Sequence, residues 1–270
     1  MEIALLLLGG AAAGLFGSLL GLGGGVLIVP LLTLGAGLPI RDAVGVSLVC
    51  VIVTSGASAS VFLRRRVANL RLGMLLELTT AAGALVGGLI AFLLDERTLA
   101  LLFAILLTYV AVTMLRAGRP GTAPAGSAPP VVPAVGLAAR MSGPDYAVRR
   151  IGVGAAGGLG AGVVSALLGI GGGVIMVPVM HLAMGVPLRV ATATSNLMIG
   201  VTATASAIIY LLRGGIDAYV AGPTAIGVFL GAAAGSRISG RVDLRVLRIL
   251  FVVVQLYVAG QMILRALGIA

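Results

Sequence analysis

The residues best suited to chemistry in this chain are glycines. "GLGGGVLIVP" runs from Gly21 to Pro30 and returns as "GIGGGVIMVP" from Gly169 to Pro178. Gly23, Gly24 and Gly25, and again Gly171, Gly172 and Gly173, break stretches that are otherwise apolar enough to cross a membrane. Glycine permits turns that other residues resist and leaves its amides uncovered. A helix restarting just after such a break, near Val26 or Val174, turns its positive dipole end and free first-turn amides into the protein. That is chemistry for an anion, and two such ends would serve one anion from both sides.

Hydroxyl and amide side chains follow each break. The first half offers Ser47 and Thr54, and the second offers Ser195, Asn196 and Thr202. Ser47 to Thr54 is seven residues, two helical turns, so both project to one face. These groups would complete an oxyanion's hydrogen bonds, or else bond preceding carbonyls and join helices. Arg41 and Arg189 stand just before these helices. They would attract or gate an anion, or snorkel at the edge of a span.

Other chemistry finds little support. No Gly-Lys-Ser/Thr follows the glycines and no strand precedes them, which excludes a phosphate loop or dinucleotide fingerprint. His181 is the lone histidine and no HExxH occurs, so neither a metal nor a cofactor is expected. No catalytic residue and no enzyme activity are read from the sequence. Glu77 is the only acid well inside a predicted span, and its place near the span's start reads as an interfacial carboxylate rather than a proton carrier.

The elements that must position these residues are set by composition. Hydrophobic residues make up 60% of the chain and charged ones 10%, with a mean hydropathy of +1.19. Continuous apolar runs near 43–63, 73–94, 98–116, 190–212, 217–236 and 246–264 match the roughly 20 residues that cross about 30 Å of hydrocarbon. They lack the alternation of transmembrane strands. The expectation is an all-α polytopic membrane protein. The first residues lack the basic start of a signal peptide and read as the mature first helix. The net charge of +10 is carried by arginines in short loops, where it marks topology rather than nucleic-acid binding. Cys50 has no second cysteine to pair with.

An offset of 148 residues aligns 14–115 with 162–263 without a gap, and roughly a third of the pairs are identical, so the chain is an internal duplication. The expected organisation is a first membrane repeat at 1–116, a Pro/Gly/Ala-rich cytoplasmic linker at 117–148 and a second membrane repeat at 149–270. Loop charges reverse between the halves. Arg64, Arg65, Arg66 and Arg71 crowd a loop whose counterpart has Arg213 balanced by Asp217, whereas Arg237, Arg241, Arg245 and Arg248 crowd the next loop of the second half. Arginine-rich short loops stay cytoplasmic. The halves are therefore expected to be inverted, with about eight to ten membrane segments, both termini outside and a site near the bilayer midplane. The 13 residues from Gly24 to Ala36 make only about 20 Å of helix, so each half is expected to hold a broken or re-entrant helix pair.

The repeated G-[LI]-G-G-G-x5-P, followed by "LPIRDAVGVS" and "VPLRVATATS", resembles the sulfite exporter TauE/SafE family of membrane transporters. The resemblance implies export of sulfite, sulfoacetate or a related organosulfonate across a bacterial cytoplasmic membrane, with the glycine motifs at the site. The first copy has Val44, Val46 and Leu48 where the second has Thr192, Thr194 and Asn196, which weights Ser195 and Asn196 above Ser47. An anion channel or a carrier of another small organic anion is the alternative. The partners expected are a small anion, the lipid bilayer and, from GxxxG faces, a second copy of the chain.

Overall fold

A computed structural model describes residues 2–20, 24–64, 67–117, 141–143, 146–238 and 244–267. The first half contains α1 (Glu2–Leu20), α2 (Gly25–Pro30), α3 (Ile40–Arg64), α4 (Leu70–Ala91) and α5 (Glu96–Ala117). The second contains α6 (Ile151–Leu168), α7 (Gly173–Pro178), α8 (Leu188–Leu212), α9 (Ala218–Ile238) and α10 (Leu244–Ala266). The elements thus recur at the sequence offset. Seven of them, α3 to α6 and α8 to α10, contain stretches long and apolar enough to cross a membrane, and the described part of α1 is slightly shorter. The protein is an all-α polytopic membrane protein. Gly23 and most of the 117–148 linker lie outside the described residues.

Local chemistry explains the boundaries. Pro30 and Pro178 have no amide to donate, and in both halves the helix widens directly after the proline into a π turn, Leu31–Gly35 and Val179–Ala183. The helix restarted at each break therefore runs from Gly25 to Gly35 and from Gly173 to Ala183, too short to cross hydrocarbon. Asn69 caps α4 by accepting from the Leu72 amide at 3.1 Å, and its Nδ2 donates to the Met141 carbonyl and the Tyr146 hydroxyl, both at 2.7 Å. These bonds tie α4 to the end of the linker.

Glycine seams join the halves. Gly10 and Gly14 of α1 rest on the backbone of Thr224 and Val228 in α9, while Gly227 and Gly231 of α9 rest on Leu7 and Ala11 in α1. The same pattern joins α4 to α6 through Gly83 on Leu159, Gly87 on Val163 and Gly162 on Thr80. Numbering rises together along each seam, so both pairs are parallel. These GxxxG faces are filled within the chain. By contrast, α3 and α8 run antiparallel: Gly45 meets Gly215 just beyond the end of α8, and Ser55 meets Asn196 and Gly200 near its start.

Candidate functional site

Gly24 and Gly172 adopt left-handed backbone conformations, φ 77° and 72°, that only glycine takes up without strain. Each then starts a helix. The Gly24 carbonyl accepts from the amides of Leu27 and Ile28 at 3.0 and 3.2 Å, and the Gly172 carbonyl accepts from Ile175 and Met176 at 3.1 and 3.0 Å. The amides at the very start, Gly25 with Val26 and Gly173 with Val174, belong to the first turn, where no intrahelical acceptor exists. Both helix starts are buried.

The two breaks meet. A Cβ at Gly25 would stand 2.5 Å from the Gly169 carbonyl oxygen and 3.0 Å from Ile170 Cα, so only glycine allows this approach. Ser47 locks the junction by donating to the Gly169 carbonyl at 2.7 Å, and it lies 3.4 Å from the Gly25 carbonyl. In this conformation Gly25 and Ser47 close the two halves together and leave no room for an anion between them.

The second break differs. Ser195, the repeat mate of Ser47, is 1% exposed, and its hydroxyl has no partner among the described residues. It lies 3.2 Å from the point where a Cβ on Gly173 would stand. Ser165 of α6 is fully buried, its hydroxyl is also unpartnered, and its Cβ is 3.5 Å from the corresponding point on Gly172. An unmade hydrogen bond in a buried hydroxyl costs about 1–3 kcal/mol. Two of them flank the start of one helix. Sequence reasoning missed Ser165 because its repeat mate is Gly17; the available signal was its place one turn before Gly169 as the only hydroxyl of α6.

The other sequence candidates are scattered among structural tasks. Asn196 donates from Nδ2 to the Thr192 carbonyl at 2.9 Å, and its own carbonyl accepts from Ser55 at 2.5 Å. Thr54 bonds the carbonyls of Cys50 and Val51 within its own helix. Thr202 donates to Glu77 Oε1 at 2.9 Å. Glu77 is 9% exposed, more enclosed within the protein than its place near the start of a span suggested, with Thr202 of α8 as its partner.

Arg41 and Arg189, matched in the repeat, differ in surroundings. Arg41 donates to the Leu94 carbonyl at 2.7 Å and lies 5.4 Å from the centre of the Phe92 ring, which also faces Arg213 at 5.7 Å. Asp95, one residue beyond Leu94, accepts from the Thr98 hydroxyl, which holds its carboxyl below the ordinary value. Arg189 is exposed. His181 meets the Val186 carbonyl through Nδ1 at 2.9 Å.

Comparison with known proteins agrees with the motif. A family model described as "Sulfite exporter TauE/SafE" matches residues 6–262. The chain is 25% identical to "Probable membrane transporter protein YunE" of Bacillus subtilis (strain 168), over 97% of this chain and 98% of that protein. It is 29% identical to a "Probable membrane transporter protein" of Xylella fastidiosa (strain 9a5c), over 86% of this chain and 83% of that one. No solved structure matches the chain.

Proposed function

The chain belongs to the sulfite exporter TauE/SafE family, a family of membrane transporters and not of enzymes, and from that premise we propose that it exports a small sulfonate or sulfite-like anion by alternating access. The anion's oxygens are held at the second glycine break, by the first-turn amides of Gly173 and Val174 and the hydroxyls of Ser165 and Ser195. The observation that carries this reading is the pair of buried, unpartnered hydroxyls beside that helix start. Amides and hydroxyls suit a sulfonate that must be released again, because they stabilise its charge without a fixed cation.

The antiparallel run of α3 against its repeat mate α8 supports an inverted repeat, in which the linker is cytoplasmic and both termini lie outside. The seal at Gly25 and Gly169 supports a carrier over an open filter, since the halves must part before an anion passes. An inside-negative potential favours the exit of an anion by about 2.3 kcal/mol per charge at 100 mV. The natural membrane for such export is a bacterial cytoplasmic membrane.

The test is a thermal-shift screen of purified protein against sulfite, sulfate, sulfoacetate, taurine and carboxylate analogues. A ligand at a hundred times its Kd stabilises the folded state by about 2.7 kcal/mol. Sulfite or sulfonates should raise the melting temperature of the wild type and leave Ser195→Ala unmoved. A shift from carboxylates alone, or an undiminished sulfonate shift in Ser195→Ala, overturns the assignment.

A further inference from the structure

Glu77 of α4 takes no part in the anion site at the second glycine break. It lies seven residues into α4, about 10 Å from that helix's start, where one carboxyl oxygen, Oε1, accepts from Thr202 across the α4–α8 contact and the other, Oε2, is buried without a partner among the described residues. Among the described residues, its neighbours offer it no cation. Arg71 on α4 is exposed, α6 carries no ionisable side chain and is preceded by the exposed Arg149 and Arg150, and α8 carries only the exposed Arg189 in its first turn and Tyr210 near its far end, whose hydroxyl donates to the Ala166 carbonyl. Tyr146, packed near the start of α4, is bonded to Asn69, and His181 meets Val186. A bare carboxylate oxygen at this depth is costly, whereas a neutral acid leaves only one hydroxyl unmatched.

We propose that Glu77 is a proton-binding site, occupied on Oε2 in the conformation seen, and that its proton and the transported anion bind cooperatively. Thr202, the partner of Glu77, lies on α8 two turns from Ser195, so a carboxylate at Glu77 and an anion at Ser195 would be about 10 Å apart. Two unit negative charges at that distance and an effective dielectric of about 20 oppose each other by a factor of about 15 in affinity. Protonation removes the repulsion. By linkage the anion must strengthen proton binding by the same factor. The proton comes from water when the helices part, and it returns there when the anion leaves. The cooperative half of the inference rests on the anion site proposed above; the protonation does not.

Two measurements on the full-length protein separate these halves. In infrared spectra, the carbonyl stretch of a neutral carboxylic acid should be present in the wild type at about pH 6, where exposed carboxylates are ionised, should fade as pH rises, and should be missing from Glu77→Gln. Its absence from the wild type, or its persistence in Glu77→Gln, overturns the protonation. The wild-type titration needs no variant, so a poorly folded Glu77→Gln leaves the test intact. Calorimetric binding of isethionate, which has no group titrating near neutrality, should weaken about 15-fold in the wild type as pH rises through that transition, and Glu77→Gln should keep the low-pH affinity throughout. An equal pH dependence in both proteins overturns the coupling. If the wild type binds no sulfonate, the anion site and the coupling fall together, while the infrared band still decides whether Glu77 holds a proton.

Discussion

Ser47 donates a hydrogen bond to the carbonyl of Gly169, 122 positions away in sequence and 2.7 Å away in space, whereas its repeat mate Ser195 is as deeply buried and its hydroxyl bonds to none of the described residues. Duplicated residues have thus taken different work. Ser47 closes the two glycine breaks against each other, and Ser195 keeps a free hydroxyl beside the helix that starts at Gly173.

That division predicts opposite outcomes for one substitution made twice. Ser47→Ala strands a buried carbonyl and should lower stability by about 1–3 kcal/mol. Ser195→Ala removes a buried hydroxyl that has no described bond to lose, so its stability should equal the wild type's or exceed it by up to about 1–3 kcal/mol, while its ligand-induced shift disappears. Melting curves in detergent, with and without sulfoacetate, measure both.

The glycines of the breaks should also separate. Gly25→Ala drives a methyl group against the Gly169 carbonyl and Val51 and should cost about 1–3 kcal/mol. Gly24→Ala meets its nearest neighbour at 3.5 Å and carries only left-handed backbone strain, about 1–2 kcal/mol. Gly160→Ala on α6, with nothing within 4 Å, should instead gain roughly 0.5–1 kcal/mol. Thermal denaturation of the three variants gives the order.

The seams between halves should tolerate no branching. Gly14→Val and Gly231→Val would each force α1 and α9 apart, because even a Cβ overlaps the facing backbone. Overpacking of this kind costs about 1–3 kcal/mol or more. Loss of a monodisperse peak in size-exclusion chromatography is the expected readout, with Gly222→Val, which faces open space, as the tolerant control.

The two matched arginines should prove unequal. Arg41→Ala forfeits a charged hydrogen bond to Leu94, about 1.5–3 kcal/mol, and its stacking on Phe92, about 0.5–1 kcal/mol. Arg189→Ala, at an exposed position, should change stability by less than about 0.5 kcal/mol. Melting curves of the pair distinguish a structural Arg41 from one that is only an entrance charge.

Much of the fold was legible because hydrocarbon imposes length and polarity on every span. The run read at 43–63 became α3 from Ile40 to Arg64, and the short helix read from Gly24 to Ala36 became Gly25 to Gly35. The repeat supplied the element order at once. The site was less legible, since it depends on what each hydroxyl meets. Ser47, Ser195 and Thr202 all fitted one pattern of donors, yet one closes the junction, one is free and one holds Glu77. Ser165 escaped because its repeat mate, Gly17, carries no polar group, and Glu77, though picked out as the acid well inside a span, has Ala225 as its mate, so the duplication that revealed the helices gave no hint of the asymmetry between them.

The second break, with Ser195, should move a sulfur-containing anion. Uptake of labelled sulfoacetate into proteoliposomes preloaded with unlabelled sulfoacetate tests it most directly. The wild type should show saturable exchange, and Ser195→Ala, at least as stable as the wild type without ligand, should lose most of it. Equal exchange by the two proteins, or no exchange by the wild type with sulfoacetate or sulfite, would contradict the account.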